Sequence, residues 1–116
     1  MSAPHLAPEL VRLLVAQARE RRRPLTHSEL GKAVGHPAHA LGESLQVISR
    51  HCEQLKLPDL ASLVCGEESG APEPAWRPEL PPAERLVSAW EEQARLWAFD
   101  EWLKYEEVIL RIQRMG

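Results

Sequence analysis

The sequence predicts a mainly α domain with a helix-turn-helix at its centre and a long helical extension at its C-terminal end. Three observations predict it. Apolar residues recur at spacings of three and four over most of the chain, the period of a helix with one buried face. Gly35-His36-Pro37 interrupts that period with a tight turn. Gly66 to Pro82 holds two glycines and five prolines, which exclude regular structure and separate residues 1–65 from residues 83–116.

The first helix spans Leu6 to Arg22, with Leu6, Leu10, Leu13, Leu14 and Ala18 forming its apolar stripe. Pro4 and Pro8 suit its first turn, and Arg19, Arg21, Arg22 and Arg23 complement the negative end of its dipole before Pro24 stops it. Thr26-His27-Ser28-Glu29 has the spacing of a capping box, in which the Thr26 hydroxyl and the Glu29 carboxylate satisfy each other's backbone amides. The short helix it opens points Leu30, Ala33 and Val34 inward. Gly35 fits a left-handed cap, and Pro37 forbids continuation. A further helix from Ala38 to Leu55 buries Leu41, Leu45, Ile48 and Cys52. Leu60 to Cys65 alternates like a short strand, with Leu25 as the start of a partner strand. Residues 66–82 form a loop or wing anchored by Trp76. Residues 83–116 form one long helix, or two with a bend near Phe99-Asp100, packed on the same domain through Leu86, Trp90, Ala94 and Trp97, then Leu103, Val108 and Ile112.

The 116 residues suffice for one domain, and the 44% apolar and 27% charged fractions are those of an ordinary globular chain. No apolar run reaches membrane-spanning length, and the first residues lack the layout of a secretory signal, which predicts a cytoplasmic protein with two reduced cysteines. The net charge of −3 is unevenly spread. Residues 1–65 carry eight Lys/Arg against six Asp/Glu and all five histidines, whereas residues 66–116 carry six against eleven. The two halves therefore suit different partners.

No constellation of residues predicts catalysis. Cys52 falls on an apolar helix face, and Cys65 precedes Gly66-Glu67-Glu68, where acidic neighbours disfavour a thiolate. His36, His39, His51 and Cys52 match no zinc spacing, and no phosphate-binding glycine loop is present, so neither metal nor cofactor is expected. Recognition remains. A helix-turn-helix beside a strand and a loop has the outline of a winged helix, whose second helix enters a DNA groove. The candidate contacts to double-stranded DNA are Arg22, Arg23, Thr26, Ser28, Lys32, His36, His39, Gly42, Gln46 and Arg50, although Glu43 on the same helix opposes a phosphate. That reading gives a non-enzymatic DNA-binding protein, such as a small bacterial or phage regulator. The alternative is a protein-interaction module, such as a phage-encoded inhibitor. It would use Trp76, Trp90, Glu91, Asp100 and Trp102 against a basic partner protein.

Four segments carry a family resemblance: His27-Ser28-Glu29-Leu30-Gly31, Gly35-His36-Pro37, Ala38-His39-Ala40-Leu41-Gly42-Glu43-Ser44-Leu45 and Leu57-Pro58-Asp59-Leu60. Together, across Leu25 to Cys65, they resemble the winged-helix DNA-binding half of alkylguanine-DNA alkyltransferases and alkyltransferase-like proteins. The resemblance implies a DNA-facing surface at Thr26, Ser28, His39 and Gly42. Two departures limit it. His39 stands where the family inserts an arginine into DNA, and the family's Pro-Cys-His-Arg motif is absent, since Cys65 lies between Val64 and Gly66. Alkyl transfer is therefore not implied.

Overall fold

The structure is a computed structural model that describes residues 6–37, 40–66 and 76–115. Helix α1 (Ala7–Ala16) buries Ala7, Leu10, Val11 and Leu14, and carries proline in its first turn as expected. It continues as a π-helical stretch, Gln17–Arg21, which ends where Arg22 turns left-handed at φ 52°. The buried Gln17 side chain fixes that end by donating to the Arg23 carbonyl at 2.9 Å. Strand β1 (Leu25–Thr26) leads directly into α2 (His27–Val34). The capping box is formed: the Glu29 amide donates to Thr26 Oγ1 at 3.1 Å, and the Thr26 amide donates to Glu29 Oε1 at 3.0 Å. Leu30 points into the core as expected. Ala33 does not, because the buried face of so short a helix shifts to Gly31.

Gly35 closes α2 in the left-handed conformation at φ 73°, and the His36 amide returns to the Gly31 carbonyl at 3.0 Å. Helix α3 (Gly42–Gln54) follows, starting later than the sequence predicts, and residues 38 and 39 lie outside the described residues. Leu41, Leu45, Ile48 and Cys52 are all buried. The expected strand over Leu60 to Cys65 is mostly a 3-10 helix, Leu60–Leu63. Its capping residue is Asp59, whose carboxylate accepts from the Ala61 amide at 2.9 Å. Only Val64–Cys65 extend, as β2, pairing parallel with β1 in the register Leu25 to Val64 and Thr26 to Cys65. A parallel pair needs a crossover, which α2 and α3 supply.

Helices α4 (Pro82–Ala98) and α5 (Tyr105–Met115) are separated at Phe99–Glu101, where the sequence places a bend, by a 3-10 turn, Trp102–Lys104. Val108, Ile109 and Ile112 bury α5 against α1 and α3. Leu103, expected inward, is 86% exposed on the 3-10 turn. The inward face of α4 also differs from expectation. It consists of Arg85, Ala89, Glu92, Gln93 and Leu96, whereas Trp90 and Ala94 face solvent and Leu86 and Trp97 are half-buried. Polar partners explain the rotation. Glu92 Oε2 accepts from the Asp59 amide at 2.9 Å, Gln93 Nε2 donates to the Ser62 carbonyl at 2.8 Å, and Arg85 donates to the Leu80 carbonyl at 2.9 Å.

Asp59 is the hub of that network. Its buried carboxylate accepts from the Ser49 hydroxyl and, at 2.9 Å, from Trp76 Nε1. Trp76, named above among the partner contacts, is only 6% exposed and anchors the Pro-rich stretch in which it lies, so packing takes most of its surface. Trp102 is likewise half-buried, its ring 5.2 Å from Phe99 edge-on and 6.0 Å from Tyr105 in a stack. Both serve packing.

Candidate nucleic-acid interface

On α3, the positions three and four apart that are not in the core form one solvent face. Glu43, Gln46, Arg50 and Glu53 are exposed along it, with Ser49 half-buried beside them. The start of α2 lies against the same region, because β1 pairs with β2: His27 Nδ1 donates to the Cys65 carbonyl at 3.0 Å. Between these elements and Trp76-Arg77 lies a hollow of about 260 Å³. Leu45, Ala61 and Val64 are apolar in its lining, and His27, Gln46 and Arg50 are among its polar groups. Arg77 completes the wall, its guanidinium 4.5 Å over the Trp76 ring and bonded to Ser88.

The structure thus brings Gln46 and Arg50 together with His27 and Arg77. Arg77 went unnoticed in the sequence because it lies within the Pro-rich stretch, and long-range contacts fix its place: the bond from Trp76 to Asp59 and its own contacts to Ser88 and Glu92. The cations at the end of the first helix do not act as one patch. Arg23 pairs with Glu29 at 3.3 Å beside the start of α2, while Arg19 lines a different groove with Arg12, Trp102 and Tyr105. Ser28, Lys32 and His36 are exposed along α2 and its turn, Arg22 is exposed before them, and Gly42 is half-buried. Thr26 is half-buried, and its hydroxyl oxygen accepts from the Glu29 amide in the cap. His39 lies outside the described residues.

The electrostatics are mixed. The Thr26 amide and the Arg23 guanidinium hold the Glu29 carboxyl below its usual value, so Glu29 stays charged and offsets Arg23. Glu53 stands one turn from Arg50. The thiols are unsuited to nucleophilic chemistry. Burial pushes Cys52 up to about 12, and burial with nearby Glu29 raises Cys65. Among the described residues, no three His, Cys, Asp or Glu side chains converge to hold a metal ion, and no helix is long and apolar enough to cross a membrane.

Compared with protein-family models, with curated proteins and with solved structures, the chain matches none.

Proposed function

We propose that this chain is a non-enzymatic DNA-binding protein that lays α3 along duplex DNA, with α2 and its turn beside it. The observation that carries the reading is the solvent face of α3. Gln46 and Arg50 stand one turn apart there, beside a hollow shared with His27 and Arg77. An exposed Gln-Arg pair offers donors and acceptors to base edges, and Arg50 also suits a phosphate. Lys32 and Arg22 supply further phosphate contacts from outside α3. The resemblance of Leu25 to Cys65 to the alkyltransferase-like winged helix supports the same orientation, although its parallel strand pair is not a wing hairpin.

The balanced charge makes a quantitative demand. With about three effective phosphate contacts, from Arg22, Lys32 and Arg50, the slope of log K against log salt is about −3. Anisotropy of a labelled duplex, titrated from low to physiological salt, measures it. The double variant Arg22→Ala/Arg50→Ala removes two cations and is expected to flatten the slope by about 1.8. Affinity and slope left unchanged by that double substitution would remove the reading.

A further inference from the structure

We infer that the outward face of α4 is a docking site for a basic amphipathic helix of a partner protein. On this helix polar residues share the inward face with Ala89 and Leu96. Arg85, Glu92 and Gln93 lie on that face, each held by a hydrogen bond described above. The outward face carries Ala83, Val87, Trp90 and Ala94, with Leu86 and Trp97 half-buried along one edge. At 100° per residue, those six positions fall within about one third of the helix circumference, and no charged residue falls among them. Trp90 is 56% exposed and Val87 48%. From Ala83 to Trp97 the stripe runs for about 21 Å, most of the 17-residue helix. An unbroken apolar stripe of this kind marks an interaction surface, and a solvent-facing Trp is the residue type that dominates such contacts.

Charge selects the occupant. The other edge of the stripe opens into a hollow of about 450 Å³ lined by Leu80, Ala83 and Val87, with Glu84 and Glu91 as its acidic rim. Asp100 is exposed just beyond the end of the helix. Arg95, next along the rim, is turned to Glu92 at 2.6 Å. Nucleic acid is therefore repelled here, and this face is independent of α3. A second copy is disfavoured as well. An antiparallel two-fold pairing of α4 with itself sets the same edge against the same edge, bringing Glu84 and Glu91 of one molecule onto those of the other. A helix with a leucine ridge and flanking lysines or arginines satisfies both the stripe and the rim.

Two synthetic helical peptides of identical leucine ridge test the inference, one flanked by lysines and one by glutamates. The Trp90 indole N–H resonance, assigned by its loss in Trp90→Phe, reports binding. The lysine peptide is expected to shift that resonance and to bind at least tenfold tighter than the glutamate peptide. Glu84→Lys/Glu91→Lys should invert the preference. Val87→Ser/Trp90→Ser should abolish binding while leaving duplex DNA affinity unchanged, which separates this inference from the reading of α3. Equal affinity for both peptides would overturn it. So would a concentration-dependent dimer that Val87→Ser/Trp90→Ser dissolves, since that result assigns the face to a second copy.

Discussion

Asp59→Asn tests whether the buried carboxylate organises the region beneath the candidate interface. The carboxylate receives three donors: the Ala61 amide on Oδ1, and Trp76 Nε1 together with the Ser49 hydroxyl on Oδ2. An asparagine of the same shape has only one acceptor oxygen. If that oxygen faces Ala61, the amide group meets the indole N–H; if it faces Trp76, the amide group meets the Ala61 N–H. Either way one buried donor loses its acceptor, at about 1–3 kcal/mol. The remaining bonds also pass from charged to neutral, a further loss of roughly 1 kcal/mol. Burial disfavours the charge by more than its donors favour it, so relief of desolvation offsets that second loss and leaves a destabilisation of about 2 kcal/mol. For a chain of 116 residues that is a fall in Tm of roughly 8 °C, readable by calorimetry. The difference from wild type also depends on pH. Burial holds the Asp59 carboxyl above its usual value, against the pull of its donors, so the native state binds this proton more tightly than the unfolded chain. A raised carboxyl makes the wild type gain stability as pH falls from that raised value toward about 3.9, whereas the side-chain amide of the variant does not titrate there. The gap should therefore widen on acidification. A Tm within about 3 °C of wild type, or a gap that narrows at low pH, would refute the reasoning.

Gly35→Ala is expected to cost about 1 kcal/mol through left-handed strain alone, because nothing lies within 4 Å of an added Cβ at φ 73°. Urea unfolding checks it, and a loss near 3 kcal/mol would mean that the turn is packed rather than merely bent. His51 is held below its usual value by burial, with Arg111 and Arg50 adding to it. A lowered histidine favours the neutral native state, so its contribution is complete above about 6.5 and is lost as pH falls from there through the lowered value. His51→Gln should flatten the stability profile between about pH 7.5 and 5, and an unchanged profile would exclude this account.

What the sequence made legible was local. The capping box, the Gly35 turn, the inward face of α3 and the bend before Asp100 each follow from residues within a turn or two of one another. Leu60–Leu63 was misread because its alternation fits a strand, while the deciding feature, Asp59 capping Ala61, needs a buried carboxylate whose other partners are Ser49 and Trp76. The same limit applies to the candidate interface. Gln46 and Arg50 could be placed on one face of α3 from their spacing, but Arg77 reaches that hollow only through contacts across the chain.

Helix α4 sharpens the distinction between a period and a direction. Its apolar spacing identifies a stripe correctly, yet a stripe does not determine which side of a helix turns inward. Rotating α4 to bury Val87 and Trp90 would gain about 3 kcal/mol or more from apolar area. It would also strip Glu92 from the Asp59 amide and Gln93 from the Ser62 carbonyl, bonds that span 33 and 31 residues. Breaking them would leave the Asp59 amide and the Ser62 carbonyl buried and unpaired, at about 1–3 kcal/mol each, and would give up the charge-assisted bond of Glu92. The polar register therefore outweighs the apolar one within the isolated chain. The area it leaves in water is stabilisation that only a partner on α4 can recover, so complex formation should raise Tm in proportion to the apolar stripe it covers.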